Sequence, residues 1–301
     1  MSKAVTVAST TRVLRSLIST VQQLFPIALA DDAWDNTGLL LESPIIAPHS
    51  KKARVLLTID LTTAVVDEAL LKKALLVVAY HPIIFRPLKA ITQSNTQQRS
   101  LLRLAHAGIS VYSPHTAVDA QVGGMNDWLA DVASGGNYIE TKVIQPSKND
   151  PSGSTGFGRL ITLEETRYTI RDIINNVKSG LHLENVQVAL SDRHQDVDNA
   201  TVSTIAICAG SGGSVLSTVD AEIWFTGELS HHEVLALRER GVSAIICGHT
   251  NTERGYLTTG FAPKLLALIK SNTQTLDANY YEKFDIEVVV SEADRDPITV
   301  F

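Results

Sequence analysis

Between residues 54 and 80 the chain passes from one apolar block to another through an amphipathic stretch. The blocks RVLLTID (54–60) and LLVVAY (75–80) are continuous rather than alternating, so each predicts a strand buried on both faces. Between them TTAVVDEALLKKA has helical spacing, and the three segments predict a βαβ unit. A helix near 95–107 leads to ISVYS (109–113), and GMNDWLADVA predicts another helix. Near the start, Val13, Leu14, Leu17, Ile18, Val21 and Leu24 recur at helical spacing. QPSKNDPSGST (145–155) is rich in turn formers and reads as a linker. Beyond it GFGRLITL, a helix near 169–179 and VQVAL precede the polar loop DRHQDVDNA, and VSTIAIC, AEIWFT and VSAIIC follow as buried strands. The expected fold class is α/β: two related lobes, residues 1–145 and 150–301, with mostly buried mixed sheets flanked by helices.

Composition narrows the class. Hydrophobic residues make up 44% of the 301 and charged ones 19%, as in soluble globular proteins. No apolar run approaches the roughly 18–20 residues that cross a bilayer. A net charge of −6 argues against direct nucleic-acid binding, which favours a basic stripe. Cys208 and Cys247 each close an apolar run and read as reduced core thiols. The N-terminus carries Lys3, Arg12 and Arg15, many Ser and Thr, and no acid before Asp31. That is transit-peptide composition, but the helical pattern runs directly into FPIALADDAWDNTG. A structural helix and a cytoplasmic location are expected, with a mitochondrial one as the alternative.

Ligand crevices of open α/β sheets lie at the carboxyl ends of the strands. RVLLTI ends at Asp60; LLVVA ends at Tyr80 and His81; ISVYS leads to His115 and Asp119. AEIWFT ends at Gly227 and Glu228, with His231 and His232 next, and VSAIIC leads to Gly248, His249 and Glu253. His49, His106, His182 and His194 form no such set. His249 and Glu253, four apart, face each other on a helix and suit either a helix-start pair or a shared ion. Imidazole with carboxylate is a donor set for Zn, Fe or Mn. Ser230-x-x-Glu233 is a capping box, which puts His231 and His232 in the first turn of a helix. CAGSGGS, with Gly210, Gly212 and Gly213, reads either as a tight turn or as an amide cradle for a phosphate. It lacks the Lys-Ser/Thr of a P-loop.

WDNTGLLLE, AYHPIIFRPLKAIT, SPHTAVDA with GGMND, CAGSGG, WFTGELSHHEVLAL and CGHTNTERGYL occur in the order found in the Nif-three-like family, also labelled GTP cyclohydrolase 1 type 2 homologues. The resemblance spans nearly the whole chain. It implies two α/β lobes with a metal centre in the crevice between them, completed by residues of about 240–270, and a toroidal homo-hexamer or a dimer. The matched ligands are His81, Asp119, His249 and Glu253. Tyr80 stands where the family's first histidine falls, and Tyr-His-Pro is similar to the eukaryotic branch. One or two divalent ions per chain follow, one firm and one weaker. The implied activity is a metal-dependent hydrolase acting on a nucleotide or another phosphorylated small molecule. Glu228, His231 and His232 would then handle protons, and the glycine-rich turn would take a phosphate. The alternative is a metal-binding scaffold or adaptor with protein partners, related to transcription.

Overall fold

The computed structural model describes residues 7–45, 52–164, 168–275 and 285–300; Lys3 and His49 lie outside them. The chain forms two compact units, residues 1–118 with 257–295, and residues 119–256 with 296–301. This division differs from the expected one at 145–150.

The first unit opens with α1 (Val7–Leu24), whose Val13, Leu14, Leu17 and Val21 are buried as the spacing predicts. Strands β1 (Gly38–Leu41), β2 (Lys52–Thr58), β3 (Leu76–Ala79) and β4 (Ser110–Ser113) follow, with α2 (Thr63–Leu71) after β2 and α3 (Thr96–His106) after β3. Thr62 caps α2 through the Val65 amide, and Asn95 caps α3 through the Gln98 amide. β2, β3 and β4 are parallel, and β1 joins β4 antiparallel. Every residue of β3 and β4 is buried, which explains their unbroken apolar character. Val65, Val66, Ala69, Leu101 and Leu104 of the two helices pack with Leu56, Val77 and Val111 of the strands.

After the short helix α4 (Thr116–Ala120), the second unit contains α5 (Met125–Ser134), β5 (Glu140–Pro146), β6 (Gly156–Thr162), α6 (Ile170–Leu181), β7 (Gln187–Ala189), β8 (Thr204–Ser211), α7 (Gly213–Leu216), β9 (Ile223–Glu228), α8 (His231–Glu239), β10 (Ser243–Ile246) and α9 (Asn251–Tyr256). Its sheet runs β5-β6-β8-β9-β10-β7. The central β8, β9 and β10 are parallel; the other pairings are antiparallel. The presumed linker is the loop of a hairpin: β5 and β6 pair through Gln145↔Phe157 and Pro146↔Gly156. Inside the loop the Asp150 carboxylate accepts bonds from Ser152 and Thr155. Turn-forming composition is common to linkers and hairpin loops, so it did not separate the two.

The chain then returns to the first unit. α10 (Ala262–Thr275) belongs with α1, and Phe25 meets Phe261 edge to face with ring centroids 4.7 Å apart. β11 (Asp285–Val290) pairs parallel with β2, giving the sheet order β1-β4-β3-β2-β11. Among the described residues no helix is long and apolar enough to cross a membrane.

Candidate metal centre

In the first unit the ladder outlasts β3. The Tyr80 amide donates to the Thr58 carbonyl at 2.9 Å and the His81 amide to Ile59 at 3.0 Å. Pro82 has no N–H to continue it. His81 therefore leaves the sheet at its carboxyl edge, and its Nδ1 lies 2.9 Å from Asp60 Oδ1 at the end of β2. A carboxylate on Nδ1 fixes ring and tautomer and makes Nε2 the ligand nitrogen. Beyond β4, His115 adopts a left-handed φ of 34°, and its Nδ1 lies 2.6 Å from Asp35 Oδ1. Asp35 Oδ2 accepts the Thr116 hydroxyl and amide. Burial pushes the Asp35 carboxyl up, but the hydrogen bond and charge of His115, with the Thr116 and Asn36 bonds, outweigh it and hold it below the usual range. Tyr80 is buried, with ring centroids 5.0 Å from His81 and 5.4 Å from His115. Asp35 lies in WDNTGLLLE, where no local spacing marks it for this role. Its partner lies 80 residues away, and only the fold joins them.

In the second unit three parallel strands again deliver the chemistry. β9 ends in Glu228, and β10 leads to Gly248, at φ 88°, and His249. His249 stands between two carboxylates, with Nδ1 2.9 Å from Glu228 Oε1 and Nε2 3.4 Å from Glu253 Oε1. Glu253 is buried in α9, four residues after His249. Thr252 donates its hydroxyl to the His249 carbonyl at 2.7 Å and accepts the Gly210 amide at 2.9 Å. Asn126, fully buried, donates to the Asp119 carbonyl at 3.1 Å and accepts the Ala209 amide at 2.9 Å. Nothing in the residue pattern singled out Thr252 or Asn126. Burial, and after it the charges of Asp119 and Glu253, push the Cys208 thiol far up. Burial pushes the Cys247 thiol up to about 12. Both are inert core thiols.

Of the two readings of the glycine-rich turn, the hydrogen bonds favour close backbone packing over a phosphate cradle. The Gly210 amide is given to Thr252 and the Gly212 amide to the Thr226 hydroxyl at 3.1 Å, so neither points at a ligand. A Cβ on Gly213 would lie 2.1 Å from Glu233 Oε1, a carboxylate that repels phosphate. A Cβ on Gly210 would lie 2.8 Å from both His249 Nε2 and Glu253 Oε1. The turn is bare because the imidazole–carboxylate pair needs that space. The capping box of Ser230 and Glu233 starts α8 as expected, and His231 and His232 are exposed in its first turn. Glu228, the expected proton carrier, is held on His249, with Oε1 2.9 Å from Nδ1.

The donor set fits a divalent ion. His81 and His249 each have a carboxylate behind Nδ1, as metal-ligating histidines do, and Glu253 adds a buried anionic oxygen. Gly210 keeps Nε2 of His249 and Oε1 of Glu253 clear of a side chain.

The family model Duf34/NIF3 (NGG1p interacting factor 3) matches residues 13–297. The chain is 46% identical over 284 residues to "Protein NIF3 homolog" of Schizosaccharomyces pombe, covering 93% of this chain and 95% of that one. It is 36% identical to "NGG1-interacting factor 3" of Saccharomyces cerevisiae, over the full length of both. Among solved structures it resembles a Bacillus cereus protein related to NIF3, with TM-score 0.76, 19% identity and 95% and 98% of the two chains covered. It also resembles reduced HcgD from Methanocaldococcus jannaschii, with TM-score 0.67, 20% identity and 92% and 97% covered. The last two show the fold alone. With matches of this length and identity, the chain belongs to the Duf34/NIF3 family.

Proposed function

We propose that His81, Asp119, His249 and Glu253 serve one divalent metal centre, and that the protein is a metal-dependent hydrolase. The observation that carries this reading is His249 held between Glu228 and the buried Glu253, with Gly210 placing no side chain against the imidazole nitrogen and carboxylate oxygen. His81, His249 and Glu253 offer two imidazoles and a carboxylate, which suit Zn, Fe or Mn. A bound ion of this type supplies a Lewis acid and a nucleophilic water near neutral pH. Glu228 and Asp60 keep the two imidazoles in the ligating tautomer. Tyr80 packs on His81 and His115, and a phenol is in general a poorer ligand at neutral pH than an imidazole or a carboxylate. One ion is therefore held firmly and a second more weakly. His231 and His232 are the proposed proton carriers. A phosphorylated substrate stays within the proposal, without a phosphate contact at Gly210 or Gly212. A toroidal homo-hexamer or a dimer rests on the family resemblance, and a cytoplasmic location, with a mitochondrial one as the alternative, on the helical pattern of the N-terminal residues.

A second reading has its own support. The Saccharomyces cerevisiae relative is named as an NGG1-interacting factor, which favours protein partners for this chain as well. Metal content of the wild type and of His81→Ala, Asp119→Ala and His249→Ala, measured by elemental analysis, tests the centre. All three are expected to lose metal, and wild-type content in all three sinks the assignment. A screen of nucleotides and phosphoesters with added Mn, Fe or Zn separates the readings. Turnover abolished by His249→Ala supports the hydrolase, and no turnover supports the partner role.

A further inference from the structure

The polar segment SEADRDPI (291–298) is held by hydrogen bonds at Ser291, Glu292, Ala293, Asp294, Asp296 and Ile298. The Ser291 amide donates to the Leu57 carbonyl at 2.8 Å, and its hydroxyl bonds Glu68. The amides of Glu292 and Ala293 donate to the same Glu68 carboxylate at 3.0 and 3.1 Å. Asp294, buried, accepts the Ile59 amide on Oδ2 at 2.8 Å. The next residue, Asp60, orients His81. Two residues after Asp294, Asp296 Oδ2 accepts the Thr250 hydroxyl at 2.8 Å, and its Oδ1 accepts the Ile298 amide at 2.8 Å. Thr250 follows His249 directly, and Arg254 also donates to its hydroxyl at 2.7 Å. A Cβ on Gly248 would lie 3.6 Å from Asp296 Oδ2.

We propose that Asp294 and Asp296 are positioning residues for the metal ligands, Asp294 acting through Ile59 and Asp60 on His81, and Asp296 through Thr250 on His249. Each carboxylate is bonded within its own unit, to a residue one or two positions from a ligand or from the group that orients it. Burying a carboxylate is costly where a neutral side chain would accept the same bond from Ile59. Negative charge behind the ligands offsets that cost once a cation is bound, because it adds to the potential that holds the ion. Carboxylates bonded directly to ligating histidines typically account for 10- to 100-fold in metal affinity, and Asp294 and Asp296, one residue further out, for less.

This inference rests on the proposed centre, and its test keeps the two apart. Full-length protein is titrated with Co(II), following the visible ligand-field bands, with a chelating dye as competitor. The melting midpoint of metal-free protein is measured alongside. Asp294→Ala and Asp296→Ala are each expected to weaken Co(II) binding severalfold, less than the loss of a carboxylate bonded directly to an imidazole, and to alter the bands. Asp294→Asn, whose carboxamide oxygen still accepts the Ile59 amide but carries no charge, is expected to restore the bands and only part of that affinity. Thr250→Val removes the donor instead of the acceptor and is expected to match Asp296→Ala, which covers the case of an Ala variant that does not fold. Wild-type Co(II) affinity and bands in the folded variants, with only the metal-free midpoint lowered, overturn the positioning role. Wild-type Co(II) binding by His249→Ala overturns the centre itself, and the positioning role with it.

Discussion

The two units present their imidazoles in different settings. In the first, His81 and His115 stand among rings, each with one carboxylate on Nδ1 and with Tyr80 packed on both. In the second, His249 stands between two carboxylates beside a bare glycine, and its side chain is 36% exposed against 22% for His81. The aromatic setting fixes a ring by packing; the acidic one fixes it by charge and leaves it open. For the proposed ligands this predicts that His249 and its carboxylates contribute mainly charge, and His81 mainly a ring fixed by packing.

The largest expected effect tests that division directly. Glu253→Gln keeps the shape and removes the charge, so metal content should fall further than for Tyr80→Phe, which leaves the packed ring in place. Equal loss in both, by elemental analysis, would break the comparison. Gly210→Ala comes next. Its φ of 59° disfavours any Cβ by about 1–2 kcal/mol, and the methyl also meets His249 and Glu253. Chemical denaturation should show the destabilisation, and metal titration a loss beyond it. Glu228→Gln and Asp60→Asn remove the matching carboxylates of the two units. The first should weaken metal binding by about 10-fold and the second by less, because rings also hold His81. The reverse order would mean that packing contributes little to orienting His81.

The smallest effect on the comparison is a pH dependence confined to the first unit. Burial pushes the Glu68 carboxyl up, but bonds from Lys72, Ser291 and the amides of Glu292 and Ala293 outweigh it and bring it down to about 2 from an ordinary 4.5. A depressed carboxyl adds stability that is complete above the unfolded value and is lost as pH falls toward the folded one. Between about pH 4.5 and 2 the wild type should lose up to about 3 kcal/mol that Glu68→Gln lacks from the start. Urea denaturation across that range checks it. Parallel curves for the two proteins would remove Glu68 as the anchor of residues 291–293.

Much of this was legible in the chain because parallel strands buried on both faces announce themselves as unbroken apolar runs. Their ends could be located, and so could Asp60, His81, Glu228 and His249. The spacing of Ser230 and Glu233 likewise set the start of α8. What escaped had a different physics. β11 is only partly buried, so DIEVVV lacks the fully apolar character that marked β2 and β3. The pairing of Asp35 with His115 is a contact of folded loops, invisible to local spacing. Gly210 looked like an anion site because bare turns serve both ligands and close packing, and only the hydrogen-bond partners of the amides distinguish the two.

The interrupted first unit has a consequence for synthesis. All six strands of the second sheet are complete by Ile246, whereas the first sheet waits for β11 to cover the edge of β2. Roughly forty residues separate those moments, a few seconds on the ribosome at about 5–20 residues per second. During that interval β2 is an uncovered, apolar edge of the kind that recruits other chains. A nascent chain stalled in this window is the species on which a chaperone would act, and a protein truncated before Asp285 should aggregate rather than merely lose activity.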